Sequence, residues 1–479
     1  MDKTSVIFGN QLDKKTIKAA AKGKAKYVKK FGDDSKKEYH LAATPVKTLS
    51  FMGVNNLVLS DKPLKLPENA VIIGNIRMGF GHYRISMAMA SAAKALGYEP
   101  YWFDLASFDA TGSKVIRSQN DLYSLASKIS QKSKLFNHFV WEPLNCEGFR
   151  KLTYNAKDQK TAELFAPLYR DFPKDIPFVA THAWPSQGAV HAGLTHVVNA
   201  IPDNWPMALH LSEGATHVVQ TPFAYAGYKR LNGFAKKPLK GMGEGDLYRV
   251  GHYVDHELVS NVEKDCELRR KRVEEGKPFR ILLSVGGAGA GEKQFLALMD
   301  KLLPLAKDGK VSLFLNFGDH LSMLEKLEKK IPGLRKEAKC FFDKYDEFLD
   351  YVEKIREGDS DKLVLVENKD IFEAVYSTNA LMRVIDLLIT KPSELVFYPV
   401  PKLFQRHIGG HEVYGGIYGK ELGDAFEECP DVKSMNAMLD SILGDKELYL
   451  SVLNRVEELK KQGVYDGAYE AVKLAVKGR

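Results

Sequence analysis

Gly79, Gly81 and His82 sit close together in the stretch VIIGNIRMGFGHYRISMAMA (71–90). Ahead of them, Val71–Ile76 is a short apolar run rich in β-branched residues, which suits a buried parallel strand. Behind them, Ser86 to Leu96 is alanine-rich and helical in character, with Gly97 as its stop. Glycines at a strand-to-helix turn let backbone approach a ligand closely, and the helix N-terminus favours an anion. His82 is the side chain of that turn able to move protons near neutral pH. A second turn of the same kind, SVGGAGAGEKQFLALMDKLL, carries Gly286, Gly287, Gly289 and Gly291 between a strand and an amphipathic helix. Neither turn is a phosphate-binding P-loop, because GxxxxGK[ST] does not occur, and dinucleotide binding by GGAGAG lacks a well-placed ribose carboxylate. Each turn also has a purely structural reading, and a histidine in a tight turn also serves as a cap or a local hydrogen-bond partner.

Strand-like and helix-like segments alternate along most of the chain, which predicts α/β layers with parallel sheets. A first set of candidate strands covers 70–76, 98–105, 177–183, 196–202 and 216–222, with a helical insertion over 113–140. A second set covers 279–291, 311–318, 362–368, 386–390 and 401–405. The expected assembly is two Rossmann-like domains facing each other across a cleft, with ligands at the carboxyl ends of the strands. The domain reading is a basic appendage over 1–65, an N-terminal domain over 66–260, a charged linker over 261–278 that includes a helix, a C-terminal domain over 279–445, and C-terminal helices over 446–479 that cross back.

At 479 residues, 44% hydrophobic and 27% charged, the composition is that of a globular chain with more than one core. The most apolar stretch, ALMRVIDLLI, is broken by Arg383 and Asp386, so no membrane span is expected. Four dispersed cysteines without a CxxC pair indicate neither a disulfide framework nor a zinc site. The N-terminus has no signal-peptide core, and a cytoplasmic location is expected. The net charge is +8, and residues 14–30 hold eight lysines and no acid. That run reads as a solvated helix face or as a surface leaning on anionic lipid; nucleic acid ranks last, because no RRM, zinc-finger or helix-turn-helix pattern accompanies it.

The order of these features resembles a known family. GFGHYR after a first strand is similar to the GGGH-type turn of the glycosyltransferases that build galactosyl- and glucosyl-diacylglycerol. It is similar more loosely to that of the lipid II N-acetylglucosaminyltransferase. THAWPSQGAV, VVNAIPDNWPMALH, GATHVVQTPFAYAGYKRLNG and YRVGHYVDHEL follow in the order of that family's N-terminal motifs. LLITKP and PVPKLFQRHIGGHEVYGG resemble its C-terminal ones. The likeness runs over roughly residues 70–450 and rests on collinearity. Two departures stand out: TKPSELVFYPVPKLF is shorter than the family's loop, and His411 replaces the usual glutamine.

The resemblance implies the two-domain GT-B architecture and transfer of a sugar from a UDP-sugar to an acceptor hydroxyl, with inversion and without a metal or other cofactor. His82 would be the base, and Gly79, Gly81, His182 and Asp203 would lie on the acceptor side. Gly286, Gly287, Gly289 and Gly291 would offer amides to the diphosphate, with Lys391 adding positive charge and Ser393 beside it. Glu394 would hold ribose hydroxyls, and Gly410, His411 and Glu412 would read the sugar. The plainer readings stay open: His182 satisfied in the core, Asp203 forming a turn, Glu394 capping its own helix, and His411 with Glu412 as a solvated pair. A sugar-nucleotide epimerase of the same architecture and a silent nucleotide-sugar-binding relative are the alternatives. The family and the basic N-terminus together point to a lipid acceptor and a peripheral place on the inner face of a membrane.

Overall fold

The computed structural model describes residues 3–141, 143–284, 292–407 and 409–478. The chain starts with a small antiparallel hairpin, β1 (Val6–Ile7) and β2 (Asn10–Gln11). Eight strands then build one sheet: β3 (His40–Pro45), β4 (Asn55–Ser60), β5 (Ala70–Asn75), β6 (Glu99–Asp104), β7 (Phe178–Ala180), β8 (Val197–Ala200), β9 (Thr216–Val219) and β10 (Leu247–Arg249). Their spatial order is β10-β9-β8-β7-β5-β6-β4-β3, and only β3 and β4 pair antiparallel. The second sheet is wholly parallel: β11 (Phe279–Ser284), β12 (Val311–Asn316), β13 (Lys339–Phe342), β14 (Leu363–Glu367), β15 (Leu387–Thr390), β16 (Lys402–Gln405) and β17 (Ala425–Cys429). Its order is β13-β14-β12-β11-β15-β16-β17. The fold is therefore two Rossmann-like α/β domains, the GT-B arrangement.

Every residue of β5 is buried, as a continuous apolar run covered on both faces requires. Gly74 within it is fixed by packing, because a Cβ there would lie 2.4 Å from the ring of Phe178 on the neighbouring strand. The helices Phe80–Ala95 and Gly467–Lys477 cover one face of the first sheet. Val115, Ile116, Phe165, Leu168 and Trp184 build the core on the other. In each sheet the chain leaves two neighbouring strands in opposite directions, β5 and β7 in the first and β11 and β15 in the second. Ligand crevices open outside the carboxyl ends of strands at such reversals.

Residues 1–65 are not an appendage. They supply β3 and β4 to the sheet, and the lysine-rich helix Lys14–Phe31 lies against the helix Leu152–Ala162, with Lys24 paired to Glu163 at 2.6 Å. The helix expected within 261–278 is present, but the segment does not link the domains. Val262–Glu274 is a helix of the second domain, where buried Asp265 binds Arg383 at 2.7 and 3.1 Å and Arg269 donates to the Ile385 carbonyl at 2.8 Å. The domains are joined at 250–256 and again at 463–467, and the two crossings are stitched together. His252 N–H donates to the Val464 carbonyl at 2.7 Å, and Gly467 N–H donates to the His252 carbonyl at 2.9 Å. The helix Lys446–Lys461 stays on the second domain, and only Gly467–Lys477 packs on the first. Among the described residues no helix is long and apolar enough to cross a membrane.

Candidate functional site

At the end of β5 the chain turns through Gly79, whose φ of +91° is left-handed backbone that glycine adopts without strain. The helix Phe80–Ala95 starts there and places half-buried His82 in its first turn. His82 Nδ1 lies 2.8 Å from the Thr181 carbonyl at the end of β7. A carbonyl only accepts, so Nδ1 carries the proton and Nε2 keeps its lone pair. Burial lowers the His82 pKa, against opposing pulls from the Thr181 carbonyl, Asp203 and Glu394. Ser86, one turn on, ties the two segments by bonds to the His82 carbonyl at 2.8 Å and to Thr181 Oγ1 at 2.7 Å.

His182 is buried, with its ring 4.9 Å from that of His82, edge to face. It caps the helix Ala183–His191: its Nδ1 accepts the Trp184 N–H at 3.1 Å, so in the neutral ring Nε2 carries the proton. Burial first, and then the neighbouring His82 and His210, hold its pKa well below the ordinary value. Two neutral imidazoles thus stand side by side, one bearing a free lone pair and the other an N–H.

Asp203 is neither remote nor merely a turn former. Its Oδ2 accepts from His210 Nε2 at 3.1 Å, and His210 Nδ1 accepts in turn from the Tyr228 hydroxyl at 2.9 Å. The Tyr228 oxygen also accepts the Met207 N–H at 3.1 Å. His210 and Tyr228 were not singled out from the sequence. The signal was present, since His210 is the last residue of VVNAIPDNWPMALH, but nothing in its spacing ties it to Asp203.

The second domain brings Lys391, Ser393 and Glu394 to the carboxyl end of β15. Ser393 N–H closes a tight turn onto the Lys391 carbonyl at 2.8 Å. Lys391 is paired with the Glu412 carboxylate. Burial depresses its ammonium, but Glu412 and Glu394 outweigh that and leave its pKa raised. Glu412 closes the short turn Gly410–Glu412 by accepting the Gly409 N–H at 3.2 Å. Gly286, Gly287, Gly289 and Gly291 lie outside the described residues, as does the His411 side chain.

The two halves meet at their reversal points. A Cβ built on Gly81 would lie 3.5 Å from the Glu394 carboxyl group. Around this contact the domains hold one another: Arg77 pairs with Asp319 at 3.1 Å, and Asn204 Nδ2 donates to the Tyr414 carbonyl at 2.8 Å. The Tyr414 ring stacks on Trp205 at 4.5 Å and on Phe223 at 4.9 Å, while Arg150 covers Trp205 at 4.4 Å. The arrangement offers a lone-pair base, an N–H donor, three carboxylates and a cation where the two domains meet. Acid–base work on a polyhydroxylated ligand is within its chemistry.

Residues 6–230 match a family model described as a domain of unknown function, DUF6937, and residues 242–476 match a second, DUF6938. The second match begins before β10, a strand of the first sheet, and takes in the helix Gly467–Lys477, so the two models divide the sequence differently from the sheets. No curated protein matches. Among solved structures, the UDP co-structure of S. aureus MnaA is similar at 13% identity and TM-score 0.41, over 84% of this chain and 94% of that one. The UDP-GlcNAc 2-epimerase from Neisseria meningitidis bound to UDP-GlcNAc is similar at 10% identity and TM-score 0.46, over 85% and 100%. A glycosyltransferase from Rickettsia africae is similar at 14% identity and TM-score 0.38, over 85% and 96%.

Proposed function

We propose that the cleft transfers a sugar from a UDP-sugar to an acceptor hydroxyl, with inversion at the anomeric carbon. One observation carries this reading: the reversal points of the two sheets face each other, with His82 in one and Glu394 in the other, and Gly81 leaves the space between them. His82 Nε2 takes the acceptor proton as the new C–O bond forms and the nucleoside diphosphate leaves. Asp203, held by His210, lies near enough to favour the imidazolium that results. His182 offers its N–H to an oxygen of either substrate. On the donor side, Glu412 already neutralises Lys391, so a diphosphate binds there by competing with that carboxylate. Glu394 is placed to accept from ribose or sugar hydroxyls. The acceptor is an amphiphile presented at an anionic lipid surface, a reading supported by the lysine-rich helix Lys14–Phe31.

Thermal unfolding against UDP, GDP, TDP, CMP and NAD tests the donor half. A ligand at about 100 times its dissociation constant adds roughly 2.7 kcal/mol to the native state. Selective stabilisation by UDP supports the reading, and stabilisation by NAD alone overturns it.

Epimerisation of a sugar nucleotide is the second reading, favoured by the two carboxylates, Asp203 and Glu394, that act on His82. A proton removed from and returned to a sugar carbon needs such acid–base partners and no acceptor. An altered sugar nucleotide formed without a second substrate would establish it in place of transfer.

A further inference from the structure

The helices Leu152–Ala162 and Ala183–His191 pack on each other, and the faces they bury are largely polar. Asn155, Gln159, Ser186 and Gln187 are fully buried, and Asp158 is 6% exposed. Five oxygens there have no hydrogen-bond partner among the described residues: Asn155 Oδ1, Asp158 Oδ2, Gln159 Oε1, Ser186 Oγ and Gln187 Oε1. The Gln159 nitrogen has none either, so that amide is unmet at both ends. Burying one polar group without a partner is costly, and a cluster of them calls for a partner from outside the chain.

Two links between the helices bring these oxygens to one place. Asn155 Nδ2 and Gln187 Nε2 both donate to the Leu211 carbonyl, each at 2.8 Å, and Asp158 accepts from the Trp184 indole. As the first helix advances from Asn155 to Asp158, the second retreats from Gln187 to Trp184, so the two run antiparallel. The five side chains therefore lie within about one turn of each helix, roughly 6 Å along the axes. Asn155 Nδ2 also donates to the Ala208 carbonyl at 2.8 Å. Both its hydrogens are then used, and its oxygen is the end of the amide still to be met.

The donor set says what fits. Amide and carboxylate oxygens only accept, and Asp158 brings the one full charge. Its neighbour Lys157 acts on it but is exposed, and Asp158 forms no ion pair among the described residues. Buried charges are paired or coordinate metals. Hard oxygen donors with a net charge of minus one suit a monovalent alkali cation, whereas a divalent ion would leave a charge uncompensated in the interior. We propose that a potassium or sodium ion is held between the two helices by Asp158 and the amide oxygens of Asn155, Gln159 and Gln187, with Ser186 beside them. A water of the ion's own shell meets the Gln159 nitrogen. The site lies behind the cleft rather than in it. His182 caps the helix Ala183–His191, and the Trp184 ring stands edge to face with it at 4.8 Å. The ion thus fixes the start of that helix and, with it, the His182 N–H. Neither the ion nor its site depends on the transferase reading.

Full-length wild type, Asp158→Asn and Gln159→Leu are unfolded by heat in potassium, sodium and choline chloride at equal ionic strength. The wild type should melt higher in potassium or sodium chloride than in choline chloride, by about 2–4 °C and saturably with ion concentration. Both variants should lose that difference. In choline chloride Asp158→Asn should be at least as stable as the wild type, whose buried carboxylate has no counter-charge there. Equal melting of the wild type in all three salts overturns the proposal, as does an ion response that survives in either variant. A loss of stability in Asp158→Asn that is the same in every salt also overturns it, since Asp158 would then be a hydrogen-bonding group among waters only. Should Asp158→Asn fail to fold, Gln159→Leu, which removes a ligand and no charge, decides by the same comparison.

Discussion

Gly81 and Glu394 belong to different domains, yet a Cβ on the glycine would stand 3.5 Å from the glutamate carboxyl. That distance is ordinary van der Waals contact, so Gly81→Ala introduces no clash. Gly81 also lies in the first turn of Phe80–Ala95, where alanine is favoured over glycine by roughly 0.5–1 kcal/mol. The substitution should therefore keep or raise thermal stability while the methyl fills the gap beside Glu394. Ligand-induced stabilisation should fall in the same protein. An unchanged response to UDP would mean that this gap is not part of the ligand site.

His82→Ala removes the lone pair but none of the second domain's groups. Turnover should fall about 10²–10⁴-fold with nucleotide stabilisation retained. The pH dependence carries a sign. Burial lowers the His82 pKa, so Nε2 stays unprotonated below the ordinary histidine value of 6.5. The acid limb of kcat/KM in the wild type should lie below that value and vanish from the residual rate of the variant. An acid limb above 6.5, or near-normal turnover without the imidazole, would take His82 out of the mechanism.

The buried parallel strands were legible because apolar runs between glycine turns have few other uses: β5 to β9, β11, β12 and β14 to β16 lie where the sequence places them. The strands missed were β3, β4, β10, β13 and β17. β10 is a three-residue edge strand, and β17 carries paired glutamates on a partly exposed surface. Such segments join a sheet through neighbours that no local pattern announces. The charged segment 261–278 reads as a helix plus linker, and its place within the second domain shows only once Asp265 and Arg269 find their buried partners. Likewise His82, His182, Lys391 and Glu412 were visible as residue types, whereas the His210–Asp203 bond and the Tyr414 stack depend on long-range closure.

His252 supplies a pH test of stability. It is fully buried; its Nδ1–H donates to the Phe397 carbonyl at 2.8 Å and its Nε2 meets the Tyr418 hydroxyl at 2.9 Å. Burial, with Lys402 nearby, lowers its pKa from 6.5 to about 3. Between those values the unfolded chain binds a proton that the native protein refuses. Stability is thus present above 6.5 and is lost as pH falls, by about 1.4 kcal/mol per unit, until the folded pKa is reached. His252→Gln should be less stable at pH 7 but lose less on going from pH 6.5 to 4. Parallel losses in urea midpoint for the two proteins would show that His252 contributes nothing to acid unfolding.

Tyr414 is where closure can be weakened without removing a carboxylate, an ammonium or an imidazole. Its ring lies on Trp205 and Phe223 of the opposite domain, with interplanar angles of 18° and 8°. Aromatic pairs add about 0.5–1.5 kcal/mol each beyond burial, so two pairs bias the closed form by about 1–3 kcal/mol, a factor of roughly 5–150. Tyr414→Ala should increase acrylamide quenching of tryptophan and the radius of gyration measured by small-angle scattering, and raise KM more than it lowers kcat. Tyr414→Phe keeps the ring and should behave as wild type. If the alanine variant scatters and quenches as wild type does, the domains are held by Arg77–Asp319 and the buried helix contacts instead, and the stack is a consequence of closure rather than a cause.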